Sequence, residues 1–342
     1  MAEKILYYIG AGASANALPL ARNVTKYDAT GFPVGEKSGL IRELRQYLED
    51  DKIVNIEEDE SVRIIEKLKE ESKNLAIAAE KFGDVDTYAK LLHLTDKSGK
   101  MLQGLKQTIS RFFAIKQLFL NAHDDRYLSW LVNIMYRNTF PENVKVLSWN
   151  YDFQIELAHR YFGQGEDIKR SKSGFIYSPS LLNYYPNLDP TFRDFDTLSL
   201  IHLNGVAGFA KNDDQYLNSI FQPENVVTRE AAISFLANSN LYELLHFAWE
   251  NSGYHNQLMQ YAKKMIVGTT IIVVVGYSFP FFNREVDKEI FKALLDGSQL
   301  RKIYYQDPVL DGQQLRAQFG FDKGIEIVHV KQTDSFHVPF EY

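Results

Sequence analysis

The sequence predicts an α/β protein built on a mainly parallel sheet with helices on both faces. Three observations carry that reading. Six short apolar runs are spaced along the chain, helical patterns separate most of them, and one run, Thr270-Ile-Ile-Val-Val-Val275, is apolar at every position after its threonine. A strand buried on both faces reads that way, and such burial belongs to parallel sheets covered by helices. The 342 residues suffice for a sizeable core.

The strand candidates are Lys4–Ile9, Val144–Trp149, Leu198–Leu203, Thr270–Val275, Lys302–Tyr305 and Ile325–Val330. Between Gly35 and Asn138 no convincing strand occurs. Segments near 38–50, 61–82, 102–121 and 125–137 instead carry apolar residues at three- and four-residue spacing, the mark of amphipathic helices. The expectation is therefore one domain over 1–342, with a helical insertion at about 36–140. The acidic run at 57–60 suits a solvated helix start, where negative charge opposes the dipole. Residues 168–197 hold Pro179, Pro186 and Pro190 with little periodicity, which reads as a long loop; a lid, an oligomer contact and a mobile segment all fit that pattern.

Composition removes several function classes. There is no cysteine, so disulfides, thiolate zinc sites, iron–sulfur clusters and a cysteine nucleophile are excluded. No pair of histidines has metal-ligand spacing, and no metal site is expected. The net charge of -6 disfavours whole-surface attraction to nucleic acid or anionic membrane. No apolar run reaches the ~20 residues of a membrane helix, and the first ten residues lack a signal-peptide layout. A cytoplasmic protein without direct membrane binding is expected.

The chemistry-bearing motifs sit at strand ends. After the first strand comes Gly10-Ala11-Gly12-Ala13-Ser14. Glycines there permit a tight strand-to-helix turn and close approach of backbone to a phosphate. The third glycine of the dinucleotide fingerprint is missing, so a turn without ligand is the competing reading. The second motif is Asn150-Tyr151-Asp152, where open α/β folds place ligands; Asn150 or Asp152 could equally cap the helix that follows. The third is His202, inside a strand-like run before Asn204-Gly205. It is either a proton-transfer group or a hydrogen-bonded core histidine. Gly276-Tyr277-Ser278 could bind a second phosphate. Asp307, after the fifth strand, could hold a ribose or simply close a turn before Pro308. Parallel strands bring these ends to one edge of the sheet, which makes the fold Rossmann-like and asks for a pyrophosphate-bearing dinucleotide.

The ordered set resembles the sirtuin superfamily. Gly10-Ala11-Gly12-Ala13-Ser14 resembles its GAG-x-S opening, and Pro19 and Arg22 keep a Pro-x-x-Arg spacing. Ser148-Trp-Asn150-Tyr-Asp152 resembles its Asn-x-Asp segment, Ile201-His202-Leu-Asn-Gly205 its histidine–glycine segment, and Gly276-Tyr277-Ser278 its later phosphate contact. The resemblance runs from about Lys4 to Asp307. The zinc module of sirtuin deacylases is missing, as in the sirtuin-like domains of bacterial antiviral defence that cleave NAD. The resemblance implies an NAD glycohydrolase releasing nicotinamide and ADP-ribose, the NAD-depleting effector of an anti-phage system. Asn150, His202 and Asp152 would be catalytic: Asn150 orienting water and ribose, His202 acting as base, Asp152 contacting the carboxamide. Gly10, Ala11, Gly12, Ser14, Arg22, Gly276, Ser278 and Asp307 would bind NAD, the substrate. It further implies a homo-oligomer and a separately encoded sensor, such as a helicase-like ATPase or an Argonaute-type protein. Two alternatives stay open: a module that binds NAD or ADP-ribose without cleaving it, and a protein deacylase or ADP-ribosyltransferase.

Overall fold

A computed structural model describes residues 3–22, 24–27, 33–37, 39–46, 59–118, 122–136, 140–160, 199–211, 217–219, 229–250, 253–297 and 299–342. In chain order its elements are β1 (Ile5–Ile9), β2 (Val24–Tyr27), β3 (Pro33–Lys37), α1 (Leu40–Gln46), α2 (Asp59–Glu80), α3 (Val85–Thr95), α4 (Lys100–Leu118) and α5 (Asp125–Ile134). There follow β4 (Val144–Ser148), α6 (Gln154–Arg160), β5 (Leu200–His202), β6 (Phe209–Lys211), β7 (Leu217–Ser219), α7 (Arg229–Asn238) and α8 (Gly253–Met265). The last are β8 (Ile271–Val275), α9 (Arg284–Asp296), β9 (Lys302–Gln306), α10 (Gln314–Phe319) and β10 (Glu326–Val330). They fall into two compact units. One comprises 1–13, 124–205 and 246–342, the other 14–123 and 206–245. The expected loop at 168–197 lies outside the described residues.

The first unit contains all six expected strands in one sheet, ordered β10-β9-β8-β1-β4-β5, with every neighbouring pair parallel. Counting only these six, the order is 3-2-1-4-5-6, that of the dinucleotide-binding fold. The chain leaves β1 in one direction for β4 and β5, and in the other for β8, β9 and β10. The switch point, where such folds receive ligands, therefore falls between β1 and β8.

Why these strands are central follows from their side chains. All five residues of β1, β4 and β8 are buried. Alternate residues point to opposite faces. Leu6 and Tyr8 join Leu258, Met259 and Ala262 of α8 and Ile290, Phe291 and Leu294 of α9 in one core. Tyr7 turns the other way and meets Trp130 of α5 edge-on at 4.7 Å. Helices thus cover both faces, as the apolar runs require.

The second unit is mostly helical, and two features differ from expectation. The first is a two-stranded antiparallel ribbon, β2 with β3, across 24–37; its strands are too short and polar to stand out by alternation. The second is α3, a helix over 85–95, where Asp84 accepts a hydrogen bond from Thr87 N and caps the first turn. Arg111 of α4 holds the unit together. It pairs with Glu71 of α2 at 2.8 Å and donates to the Leu236 and Ala237 carbonyls at the end of α7. A cation there meets the negative end of the helix dipole.

Candidate active site at the carboxyl edge of the sheet

Within the first unit the loops after β1 and β8 cross in direct contact. Gly10 N donates to Val275 O at 3.0 Å and Gly12 N to Gly276 O at 2.9 Å. A Cβ on Gly12 would lie 2.7 Å from Gly276 Cα. One on Gly276, whose φ is +58°, would lie 2.4 Å from Ala13 N. These glycines exist so that two backbones can touch. The amides of Gly10 and Gly12 are given to Val275 and Gly276 across the crossing, and that of Ala13 to Gly10 within its own turn. No α-helix follows at once; residues Ala11–Ser14 form a single 3₁₀ turn. This corrects the expected strand-to-helix turn: the chain after β1 makes one tight turn, with Gly12 N bound to Gly276 O rather than open at a helix start. Ala11 is half-buried. Ser278 stands exposed on the rim, and the next residue, Phe279, has φ +53°. Such a backbone is uncommon for an aromatic residue and marks local strain in the loop after β8.

A buried network braces the crossing from below. Tyr8 Oη donates to Asp287 Oδ1 at 2.5 Å, Tyr277 Oη donates to Asp287 Oδ2 at 2.9 Å, and Trp149 Nε1 donates to Tyr8 Oη at 3.0 Å. It ties β1 and the loops after β4 and β8 to α9. Burial pushes the Asp287 carboxyl up to about 7, against the pull of the tyrosine hydrogen bonds. From the other side the buried Arg126 of α5 donates to Ala13 O at 2.8 Å and to Asp124 Oδ2 at 2.6 Å. Asp124 N in turn donates to Gln154 Oε1 at 2.7 Å.

The second corner lies at the ends of β4 and β5. His202, the last residue of β5, is 2% exposed. Its Nε2 lies 2.7 Å from Glu156 Oε1 of α6, and its Nδ1 lies 3.1 Å from the Asn150 main-chain carbonyl. Burial pulls its pKa down, but Glu156, the Asn150 carbonyl and Asp152 together hold it above the ordinary imidazole value. Asn150 is fixed from both sides, since its own amide donates to Ser148 Oγ at 3.2 Å. Asp152 accepts from Gln154 N at 3.2 Å and so caps α6. Asn204, just past β5, donates to Trp149 O at 3.1 Å, while its Oδ1 is buried with no hydrogen-bond partner among the described residues.

The structure thus brings Gly10, Gly12 and Gly276 together, and separately Asn150, Asp152 and His202. Asp307 sits at the end of β9 and accepts from the amides of Val309 and Leu310, closing its own turn. Ser14 and Arg22 belong to the second unit. There Ser14 is buried and its carbonyl receives the amides of Ala17 and Leu18. Arg22 pairs with Asp84, its Nε at 2.9 Å from Oδ2. Sequence reasoning missed Glu156, Asp287, Tyr8 and Arg126. None of them left a distinct signal: Glu156 reads as an ordinary helix charge until α6, whose described side chains are all buried, is seen in the structure.

Fold and site together define a Rossmann-like α/β protein with a buried, charged corner at the carboxyl edge of its sheet. No family model matches the chain, and no curated protein matches it. Among the described residues no helix is long and apolar enough to cross a membrane.

Proposed function

We propose that the protein is an NAD glycohydrolase that releases nicotinamide and ADP-ribose. The observation that carries this reading is the strand order, which puts the glycine crossing at the switch point of a dinucleotide-binding sheet and the Asn150–His202 corner two strands along the same edge. The resemblance of the motifs supports the choice of NAD. NAD is the substrate, and cleavage of its glycosidic bond passes through an oxocarbenium-like state. The departing nicotinamide carries a positive ring nitrogen and leaves as a neutral molecule, so no metal or strong acid is required of the site. What is required is position: water and ribose held in line, other nucleophiles shut out. Asn150 orients water and ribose, Asp152 meets the carboxamide, and His202 completes the trio. Gly10, Ala11, Gly12, Gly276 and Ser278, all within the first unit, take the pyrophosphate and adenosine side. Asp307, at the end of β9 on the same edge, is a further NAD contact on the same reading.

The same reading makes the protein the NAD-depleting effector of a bacterial anti-phage system, a cytoplasmic homo-oligomer switched on by a separately encoded sensor. The net charge of -6 supports leaving nucleic-acid sensing to that partner. The full chain, alone and with candidate sensors, is incubated with NAD and the products are identified by mass. Nicotinamide and ADP-ribose should appear, and Asn150→Ala should slow their release by about a hundredfold without unfolding the protein. Bound but intact NAD would establish the binding module instead.

A further inference from the structure

We infer that Glu156 and His202 form a positioning pair that fixes the main chain of Asn150, and that His202 is not the proton acceptor of the reaction. Each contact of the ring requires a proton. A carbonyl oxygen has lone pairs only, so the 3.1 Å contact between His202 Nδ1 and Asn150 O needs a hydrogen on Nδ1. The 2.7 Å contact between His202 Nε2 and Glu156 Oε1 needs one proton between them. Whichever atom carries that shared proton, both ring nitrogens are spent inside the protein. A general base must offer a lone pair within reach of the proton it removes. With both nitrogens occupied and 2% of the residue exposed, His202 offers none.

What the pair does is visible in where it points. His202 is 46 residues from Glu156 and 52 from Asn150 in sequence, so its ring links β5 to both the end of β4 and α6. Glu156 is 2% exposed and its Oε2 has no hydrogen-bond partner among the described residues. A carboxylate so placed depends on the imidazolium for its charge balance, which favours the pair over either residue alone. The carboxylates acting on the ring are Glu156 and, more weakly, Asp152. The Asn150 peptide is therefore gripped at its carbonyl by His202 and at its amide by Ser148 Oγ. With the main chain so fixed, the side chain of Asn150 starts from a set position at the end of β4.

Two measurements on the full chain test this. The first needs no activity: nitrogen NMR of ¹⁵N-histidine-labelled protein, with the His202 signals assigned from the His202→Gln variant. At pH 7 both ring nitrogens should carry or share a proton, and Glu156→Gln should lower the midpoint of the ring's titration. A resting ring with one bare nitrogen would overturn the inference. The second rests on the NAD-cleavage reading: the pH dependence of turnover. A base must lose its proton to work, so turnover would rise with pH through the His202 midpoint. A positioning pair predicts the reverse, with turnover falling as pH rises through that midpoint. It also predicts a loss of about a hundredfold in Glu156→Gln, the cost of misplacing a group by about 1 Å. Turnover that rises through the midpoint refutes the pair. A protonated ring in a chain that never cleaves NAD would sustain the pair and sink the proposed function. If Glu156→Gln does not fold, the wild-type ring protonation and pH profile still separate a base from a positioning pair.

Discussion

The two corners of the sheet edge are built from opposite materials. At β1 and β8 the contact is backbone on backbone, made by removing side chains: Gly12 and Gly276 approach until a Cβ on either would collide with the other's loop. At β4 and β5 it is side chain on side chain, made by burying charge: His202, Glu156 and Asp152 lie together at the ends of two strands. The first kind fails when an atom is added. The second fails when a charge loses its partner. A glycine motif thus reports close approach without saying whether the neighbour is a ligand or the protein itself. Here the crossing loop is one such neighbour.

The largest expected effect tests the charged corner. Replacing one member of a buried ion pair strands the other, at a cost of about 3–5 kcal/mol. His202→Leu and Glu156→Leu should each lose stability in that range. The double variant should recover a large part of the loss, because no uncompensated charge remains. Denaturant unfolding of the four proteins measures the coupling. Additive losses would show that the corner is held by shape, like the glycine crossing.

The next effect tests the crossing. Gly276→Ala puts a Cβ 2.4 Å from Ala13 N, in a residue whose φ is +58°. The left-handed conformation alone costs about 1–2 kcal/mol, and backbone cannot move aside as a side-chain tip can. A total loss of about 3 kcal/mol is expected with no ligand present. A variant as stable as wild type that binds NAD poorly would return the glycine to the ligand-cradle reading.

How much of this was legible in the sequence follows from the same contrast. All six sheet strands could be read; in β1, β4 and β8 burial on both faces leaves every residue of the strand buried, and in β8 it writes the unbroken apolar run 271–275. The glycine positions could be read, though not their reason, since GxG looks the same whether it faces phosphate or a crossing loop. Asn150 and His202 stood out as polar residues at strand ends. Glu156 did not, because one charge in an amphipathic pattern looks like a solvent-facing residue until the helix is found to be buried. Asp287 was hidden for a related reason. It lies in an acidic first turn of α9, where carboxylates suit the helix dipole and call for no other explanation.

Asp287 supplies the third prediction, and it sharpens the contrast by placing a carboxylate beneath the crossing. Its pKa is about 7 in the folded protein against an ordinary 3.8. The folded state therefore holds a proton that the unfolded state has released. That contribution is complete below about pH 4 and is lost as pH rises to about 7. Asp287→Asn keeps one acceptor for the tyrosine hydroxyls and has no proton to lose. Its unfolding free energy should decline less steeply than wild type across that window. Equal slopes would mean that the Tyr8 and Tyr277 hydroxyls keep the carboxylate charged in the fold.

The smallest effect asks whether the crossing serves a ligand at all. Gly12 and Gly276 cannot answer, because substituting them damages the protein first. Ser278 can. It sits on the exposed rim of the same crossing, two residues past Gly276, outside the core that Tyr277 and Phe279 fill on either side. Its hydroxyl can be removed without opening a cavity, so Ser278→Ala should leave stability unchanged within about 0.5 kcal/mol. If the rim receives a phosphate of NAD, the lost hydrogen bond costs about 1 kcal/mol, or roughly a fivefold weaker affinity by calorimetry. Unchanged affinity would confine the crossing to architecture and leave recognition of NAD to the β4–β5 corner.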